Sequence, residues 1–246
     1  VYSIYSENGY IWIGGIEGGL TRYHPETNTY NYYPADCIGD IKSGRENMLL
    51  LAGCGGLGIL DKPSGSINWI REFNGITLQY PIRCLLHSSS GDIWMATDGE
   101  GLICYHPESF SSKIFRSDEI LKSNAINGIA EDTLGRIWFT TEKELYCIIP
   151  QEDRITCMNE FIGVEWGYFN PNACTAMSNK NLAFGTAKGV IEFSPYTQLE
   201  LKDSLPIIFT DFRLLYESVK AGETGSRLDK AINKTESLSL INRLVL

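Results

Sequence analysis

The stretch AINGIAEDTLGRIWFTTEKELYCIIPQEDRITCM, residues 125–158, decides the fold. Ala125 to Glu131 is a short apolar run suited to an inner strand. Asp132, Thr133, Leu134 and Gly135 form a turn, because Gly adopts backbone angles that other residues resist. Arg136 to Thr141 is rich in aromatic and β-branched residues, which fit a pleated strand. Glu144 to Ile149 reads as a third strand. Pro150 then turns the chain, since its ring presets φ and it donates nothing to a ladder. Arg154 to Met158 closes the unit as an outer strand. Four antiparallel strands in about 44 residues is the plan of one propeller blade.

The unit recurs along the chain. GYIWIGGIEGGL (9–20), ENMLLLAGCGGL (46–57), GDIWMATDGEGL (91–102), GRIWFTTEKEL (135–145) and KNLAFGTAKGV (180–190) share one pattern of turn, apolar run, small residues and Leu or Val. Trp12, Leu50, Trp94, Trp138 and Leu182 are taken as its marker, at steps of 38, 44, 44 and 44 residues. Pro25, Pro63, Pro107, Pro150 and Pro195 keep the same step. Five repeats of this period predict an all-β chain of propeller blades over residues 1–200. The large ring in the second strand is expected to pack between blades, where burial stabilises by roughly 2–3 kcal/mol; the other reading is an aromatic platform for a sugar. Gly19, Gly56, Gly101 and Gly189 are expected to allow a positive φ or a close backbone approach. Glu144 breaks that rule, so its turn should differ.

The chain has 246 residues and a net charge of −9, with no basic cluster. Nucleic acid is a poor partner, because neutralising phosphates takes concentrated Lys and Arg. No segment reaches the roughly 20 apolar residues of a membrane span. The chain begins at Val1 inside a strand-like run and reads as a fragment or a mature chain. Helical periodicity is nearly absent, with a hint of a turn at Ser117–Ser123 and another at Arg227–Ile232.

The seven cysteines, Cys37, Cys54, Cys84, Cys104, Cys147, Cys157 and Cys174, show no CxxC pair and no metal-ligand spacing. They read as small buried hydrophobes, a usage that tilts toward a reducing compartment. His24 and His106 each precede the repeat proline and read as turn residues, while His87 ends an inner strand. The pairs Asp118–Glu119 and Glu131–Asp132 lie at turns and read as solvated. No catalytic set, no metal site, no phosphate loop and no cofactor are expected; a nucleophile–His–acid arrangement stays open, since its members meet only in space.

Residues that break the repeat's apolar habit near the central channel are the candidates for ligand binding. Arg83 and Asn127 fall at matching inner-strand positions. Trp166, Tyr168 and Asn170 come from GVEWGYFNP (163–171), an aromatic insertion that no other repeat carries. Stacking rings with a few polar groups suit an oligosaccharide, whose ring faces are apolar and whose rims are hydroxyl-rich. The structural readings are inter-blade packing or a sealing lid for the insertion, and a bond to a neighbouring blade for Arg83.

The segments GYIWIGG, GDIWMATDGEGL and GRIWFTT resemble two-component regulator propeller repeats. EWGYFNPNA…LAFGTAKGVIEFSP is similar to the last blade of such propellers, and PIIFTDFRLL (206–215) resembles the start of the tyrosine-rich β-sandwich that follows them. The resemblance covers roughly residues 1–240. It implies the periplasmic sensor region of a hybrid two-component system of the kind common in gut Bacteroides, with seven blades per propeller. It also implies a homodimer, a membrane helix, a histidine kinase and a DNA-binding regulator in the whole receptor, and genes for polysaccharide use under its control. Membrane attachment would come only through segments outside this chain. Residues 201–246 would be a linker and the first strands of the β-sandwich. On this reading the chain is a non-enzymatic sensor portion; a propeller lyase or hydrolase is the alternative.

Overall fold

A computed structural model describes residues 1–117, 120–158, 167–198, 213–214 and 217–218. Val1–Leu199 and Glu200–Leu246 are two compact units. The first holds five antiparallel sheets in the arrangement of propeller blades. Sheet one is β1 (Ser3–Glu7), β2 (Tyr10–Gly14), β3 (Leu20–His24) and β4 (Thr29–Tyr33). Sheet two is β5 (Asp40–Ser43), β6 (Met48–Gly53), β7 (Gly56–Asp61) and β8 (Ile67–Ile70), followed by a small hairpin, β9 (Glu72–Phe73) and β10 (Ile76–Thr77). Sheet three is β11 (Ile82–His87), β12 (Ile93–Thr97), β13 (Leu102–His106) and β14 (Ser111–Phe115). Sheet four is β15 (Gly128–Glu131), β16 (Ile137–Thr140), β17 (Leu145–Ile149) and β18 (Arg154–Cys157). Sheet five has three strands among the described residues, β19 (Phe169–Ala176), β20 (Leu182–Thr186) and β21 (Gly189–Phe193), and then one helical turn, α1 (Pro195–Gln198). In the second unit the described residues form a hairpin, β22 (Arg213–Leu214) with β23 (Glu217–Ser218).

The core lies between the sheets. Side chains alternate across a strand, so each sheet offers one face to the sheet before it and one to the sheet after. Trp12 meets Leu49 and Leu51 of β6; Leu50 and Ala52 meet Ile93 and Met95 of β12; Trp94 and Ala96 meet Ile137 and Phe139 of β16; Trp138 meets Leu182 and Phe184 of β20. All three tryptophans are buried, as inter-blade packing requires.

This pattern corrects the marker of the last repeat. Leu182 and Phe184 occupy the places of Ile137 and Phe139, facing back toward Trp138. Ala183, not Leu182, stands where the other sheets carry Trp or Leu, and it lies on the opposite face. Among the described residues the outer faces of the end sheets carry exposed side chains. On sheet one, Ile4, Ile13, Thr21 and Tyr32 align across the strands, as do Ser6, Ile11, Tyr23 and Tyr30; Ile4 is 67% exposed and Tyr30 74%. On sheet five the corresponding face carries Thr175, Ala183, Gly185 and Val190.

The repeated glycine acts as expected. Gly101 has φ +88° and a Cβ there would lie 2.0 Å from the Phe115 carbonyl oxygen, so no other residue fits. Glu144 takes the equivalent place without a left-handed φ, and its backbone N–H is held instead by the Thr141 hydroxyl at 3.1 Å. Ser117 and residues 120–123 are not helical; residues 118–119 and 227–232 lie outside the described residues.

Candidate functional site

Antiparallel pairing places the same chain turns at the same end of every sheet. Ser3, Gly14, Leu20 and Tyr33 align across sheet one. The starts of the inner strands, the turns between second and third strands, and the crossings to the next sheet therefore share one end. Arg83, Asn127, Tyr168 and Asn170 all belong to this end.

Arg83 is placed by a break in the ladder. The register passes from Ile82↔Thr97 to Cys84↔Ala96, which makes Arg83 the extra residue of a β-bulge. A bulge re-aims a side chain and recurs beside functional sites. The guanidinium donates to Asn127 Oδ1 and pairs with Asp98 in the β12–β13 turn. Buried Asn127, just before β15, donates its side-chain amide to the Phe169 carbonyl at 2.8 Å and accepts from the Asn172 N–H at 2.7 Å. A polar thread thus crosses β11, β15 and β19. The Arg83 side chain remains 26% exposed and that of Asp98 39%. A guanidinium has five donors, so this pair keeps capacity for a ligand. Asn127 is committed to the scaffold.

The bulge has its own support. Asp40, 3% exposed at the start of β5, accepts from the Leu85 N–H at 2.9 Å and from the Ile41 N–H at 2.9 Å, with the Lys42 amino group at 3.2 Å. β19 carries a second irregularity between Phe169 and Cys174, and exposed Asn170 lies within it. Tyr168 is half exposed, with Lys143 Nζ 5.4 Å from its ring centroid, a cation–π contact. Trp166 lies outside the described residues. Asp98 and Lys143 were not among the sequence candidates; the signal for Asp98 is an acidic residue, in TDGEG, at a place that holds Ile16, Cys54 and Ala187 in three other repeats and Glu142 in the fourth.

Beside this end, Pro34, Ala35, Asp36, Gly55, Trp69 and Arg71 line a cavity of about 390 Å³, a volume in the range of small-ligand pockets. Arg71 Nη2 donates to the Cys54 carbonyl at 2.8 Å. Cys54 forms a disulfide with Cys37, Cα atoms 5.6 Å apart. The reading of all seven cysteines as small hydrophobes is therefore wrong for these two, and the tilt toward a reducing compartment goes with it. They are 17 residues apart in sequence but meet because the crossing between sheets runs past the β6–β7 turn. Opening a loop of that length costs about 3 kcal/mol on the chain-entropy account. Cys37→Ser should lower the urea-unfolding free energy by that amount, and the oxidised parent should lose as much on reduction.

The five remaining cysteines are free. Burial, which disfavours the charged thiolate, pushes Cys84 well up and Cys104 and Cys147 up to about 12. None of these three is a ready nucleophile. The Glu131–Asp132 pair is not solvated as expected. Glu131 accepts from the Ser89 N–H at 2.9 Å, joining sheet four to sheet three. Asp132 is buried and accepts from Trp138 Nε1 at 2.8 Å, Arg136 Nε at 2.6 Å and the Leu134 N–H at 2.9 Å. His87 Nδ1 lies 3.1 Å from the Ser43 carbonyl, a scaffold contact. Asp118 and Glu119 lie outside the described residues.

Residues 120–143 match the family described as two component regulator propeller. The chain carries that propeller repeat. Histidine kinase P4 of Formosa agariphila is 26% identical over 98% of the chain, which spans 19% of that kinase. An extracellular domain of a hybrid two-component system from B. thetaiotaomicron is 23% identical, with a TM-score of 0.72 over 89% of this chain and 32% of that one. Virginiamycin B lyase from Staphylococcus aureus is 17% identical, with a TM-score of 0.59 over 80% of this chain and 71% of the lyase. These structures share the propeller fold. The chain spans about a fifth of the curated relative's length and a third of that extracellular domain's. No helix among the described residues is long and apolar enough to cross a membrane.

Proposed function

We propose that this chain is the ligand-sensing portion of a hybrid two-component receptor, held in the periplasm, and that it recognises an oligosaccharide. The observation that carries the ligand reading is Arg83: a bulged, partly exposed guanidinium paired with a partly exposed carboxylate, at the end of the blades that also presents Tyr168. Hydroxyl-rich sugar rims need paired donors and acceptors, and apolar sugar faces need a ring. Asn170 extends the same surface, and Trp166 is kept as a candidate on its sequence alone. Residues 1–200 are then blades of a seven-bladed propeller, and residues 201–246 open the following β-sandwich. In the whole receptor, a homodimer, binding would signal only through unequal affinity for two subunit arrangements.

Calorimetry against a panel of oligosaccharides tests this. One sugar is expected to bind and to be recovered unchanged. Arg83→Ala and Tyr168→Ala should each weaken it at least tenfold, about 1.4 kcal/mol. Binding indifferent to both substitutions sinks the site. The structural likeness to a lyase favours one other reading, a propeller enzyme; conversion of the bound sugar to new products would establish it in place of the sensor.

A further inference from the structure

Sheet three gathers three metal-competent side chains at the end opposite the Arg83 bulge. Cys104 and His106 are two apart on β13 and so point to the same face. The pairing of Ile93 with Tyr105 sets Asp92, one residue earlier, beside His106. One donor atom from each of the three lies within 4.8 Å of the others. His106 Nδ1 is 2.6 Å from Asp92 Oδ1, and His106 Nε2 is 3.8 Å from Cys104 Sγ.

The repeat does not require this trio. In sheet four the corresponding residues are Arg136, Cys147 and Ile149, and in sheet one Tyr10, Arg22 and His24. There His24 packs edge-on against the Tyr10 ring at 4.8 Å, in the place where His106 has a carboxylate. Only sheet three combines thiol, imidazole and carboxylate at these positions.

We propose that Cys104 and His106 bind a thiophilic divalent cation of the zinc type, with Asp92 orienting the imidazole. The bond to Asp92 fixes the ring proton on Nδ1 and leaves the Nε2 lone pair free on the side of the sulfur, the arrangement that carboxylate–histidine–metal sites use. Zinc bonds of about 2.0–2.1 Å to nitrogen and 2.3 Å to sulfur put the two donors about 3.5 Å apart at a tetrahedral angle. The observed separation needs a closure of a few tenths of an ångström. Sulfur with nitrogen selects zinc-like ions over calcium or magnesium, which take oxygen ligands. The His106 side chain is 40% exposed and that of Asp92 23%, so water can complete the coordination. Binding displaces the Cys104 proton into solvent. Lys113, opposite Cys104 on β14, is held by Asp153 of the next sheet.

The same geometry matches a nucleophile, base and orienting acid. Cys104 is only 3% exposed, which bars a substrate from its sulfur but not a small ion approaching past His106.

Titration of the chain with Zn²⁺ by calorimetry, and with Co²⁺ by absorbance, tests the site. One zinc equivalent is expected to bind, with a thiolate-to-cobalt charge-transfer band in the near ultraviolet. Cys104→Ser should abolish the band, while Cys157→Ser keeps it. His106→Gln should remove binding, and Asp92→Asn should weaken it about 10–100-fold. His106→Gln decides the matter alone if the buried Cys104 variant does not fold. No zinc binding by the parent, or a cobalt band that survives His106→Gln, overturns the proposal.

Discussion

Trp138→Ala is expected to lower the unfolding free energy by about 3–5 kcal/mol, the range for truncating a buried aromatic. The ring is fully buried. It sits 5.1 Å from the Phe193 ring and among Leu145, Met158, Phe169, Leu182 and Phe184. Those neighbours belong to sheets four and five, so the cavity would open at the contact between them. The loss has a second part, because the indole N–H donates to Asp132. Trp138→Phe keeps most of the apolar area and deletes that donor. It should cost less, near the roughly 1.5–3 kcal/mol of one hydrogen bond to a charged group, because Asp132 keeps its bond from Arg136 Nε. Urea unfolding measures both. A change below 1 kcal/mol for the alanine variant would mean that the sheets do not meet through this ring.

Asp132→Ala should cost a similar amount, about 3–5 kcal/mol, for a different reason. The carboxylate closes the turn before β16 by accepting from two backbone N–H groups, at Leu134 and Arg136. It also neutralises the Arg136 guanidinium, whose side chain is only 10% exposed. Without it Arg136 keeps one bond, to the Pro195 carbonyl at 3.1 Å. A buried cation left without its partner is what makes the single substitution severe. Removing both charges is milder, so Asp132→Ala should be less damaging in an Arg136→Met background. An equal loss in both backgrounds would show that the turn, not the ion pair, accounts for the effect. Asp132→Ala and Trp138→Ala share a hydrogen bond, so the double variant should lose less than the sum.

The propeller was legible because strand alternation and the radial repeat leave a periodic mark: Trp12, Trp94 and Trp138, with the prolines in step. The mark failed where the repeat did. Leu182 sits one place from the true equivalent, Ala183, because a small residue carries no apolar signal. The site was only partly legible. Arg83 and Asn127 stood out as polar residues in apolar strands, and they are bonded to one another. Nothing local in the sequence shows a bulge, so the partnership with Asp98 stayed hidden. Cys37 and Cys54 were invisible as a pair for the same reason, since a crossing between sheets brings them together. The closeness of Cys104 and His106 stayed hidden because strand spacing, not a CxxC pattern, brings them together.

The two end sheets differ in kind. One offers large side chains such as Ile4, Tyr30 and Tyr32, the other Ala183, Gly185 and Thr175 beside Val190. Protein interiors pack to near-crystalline density, so a blade set against the first would have to hollow its surface to admit the rings, while one set against the last could supply the bulk itself.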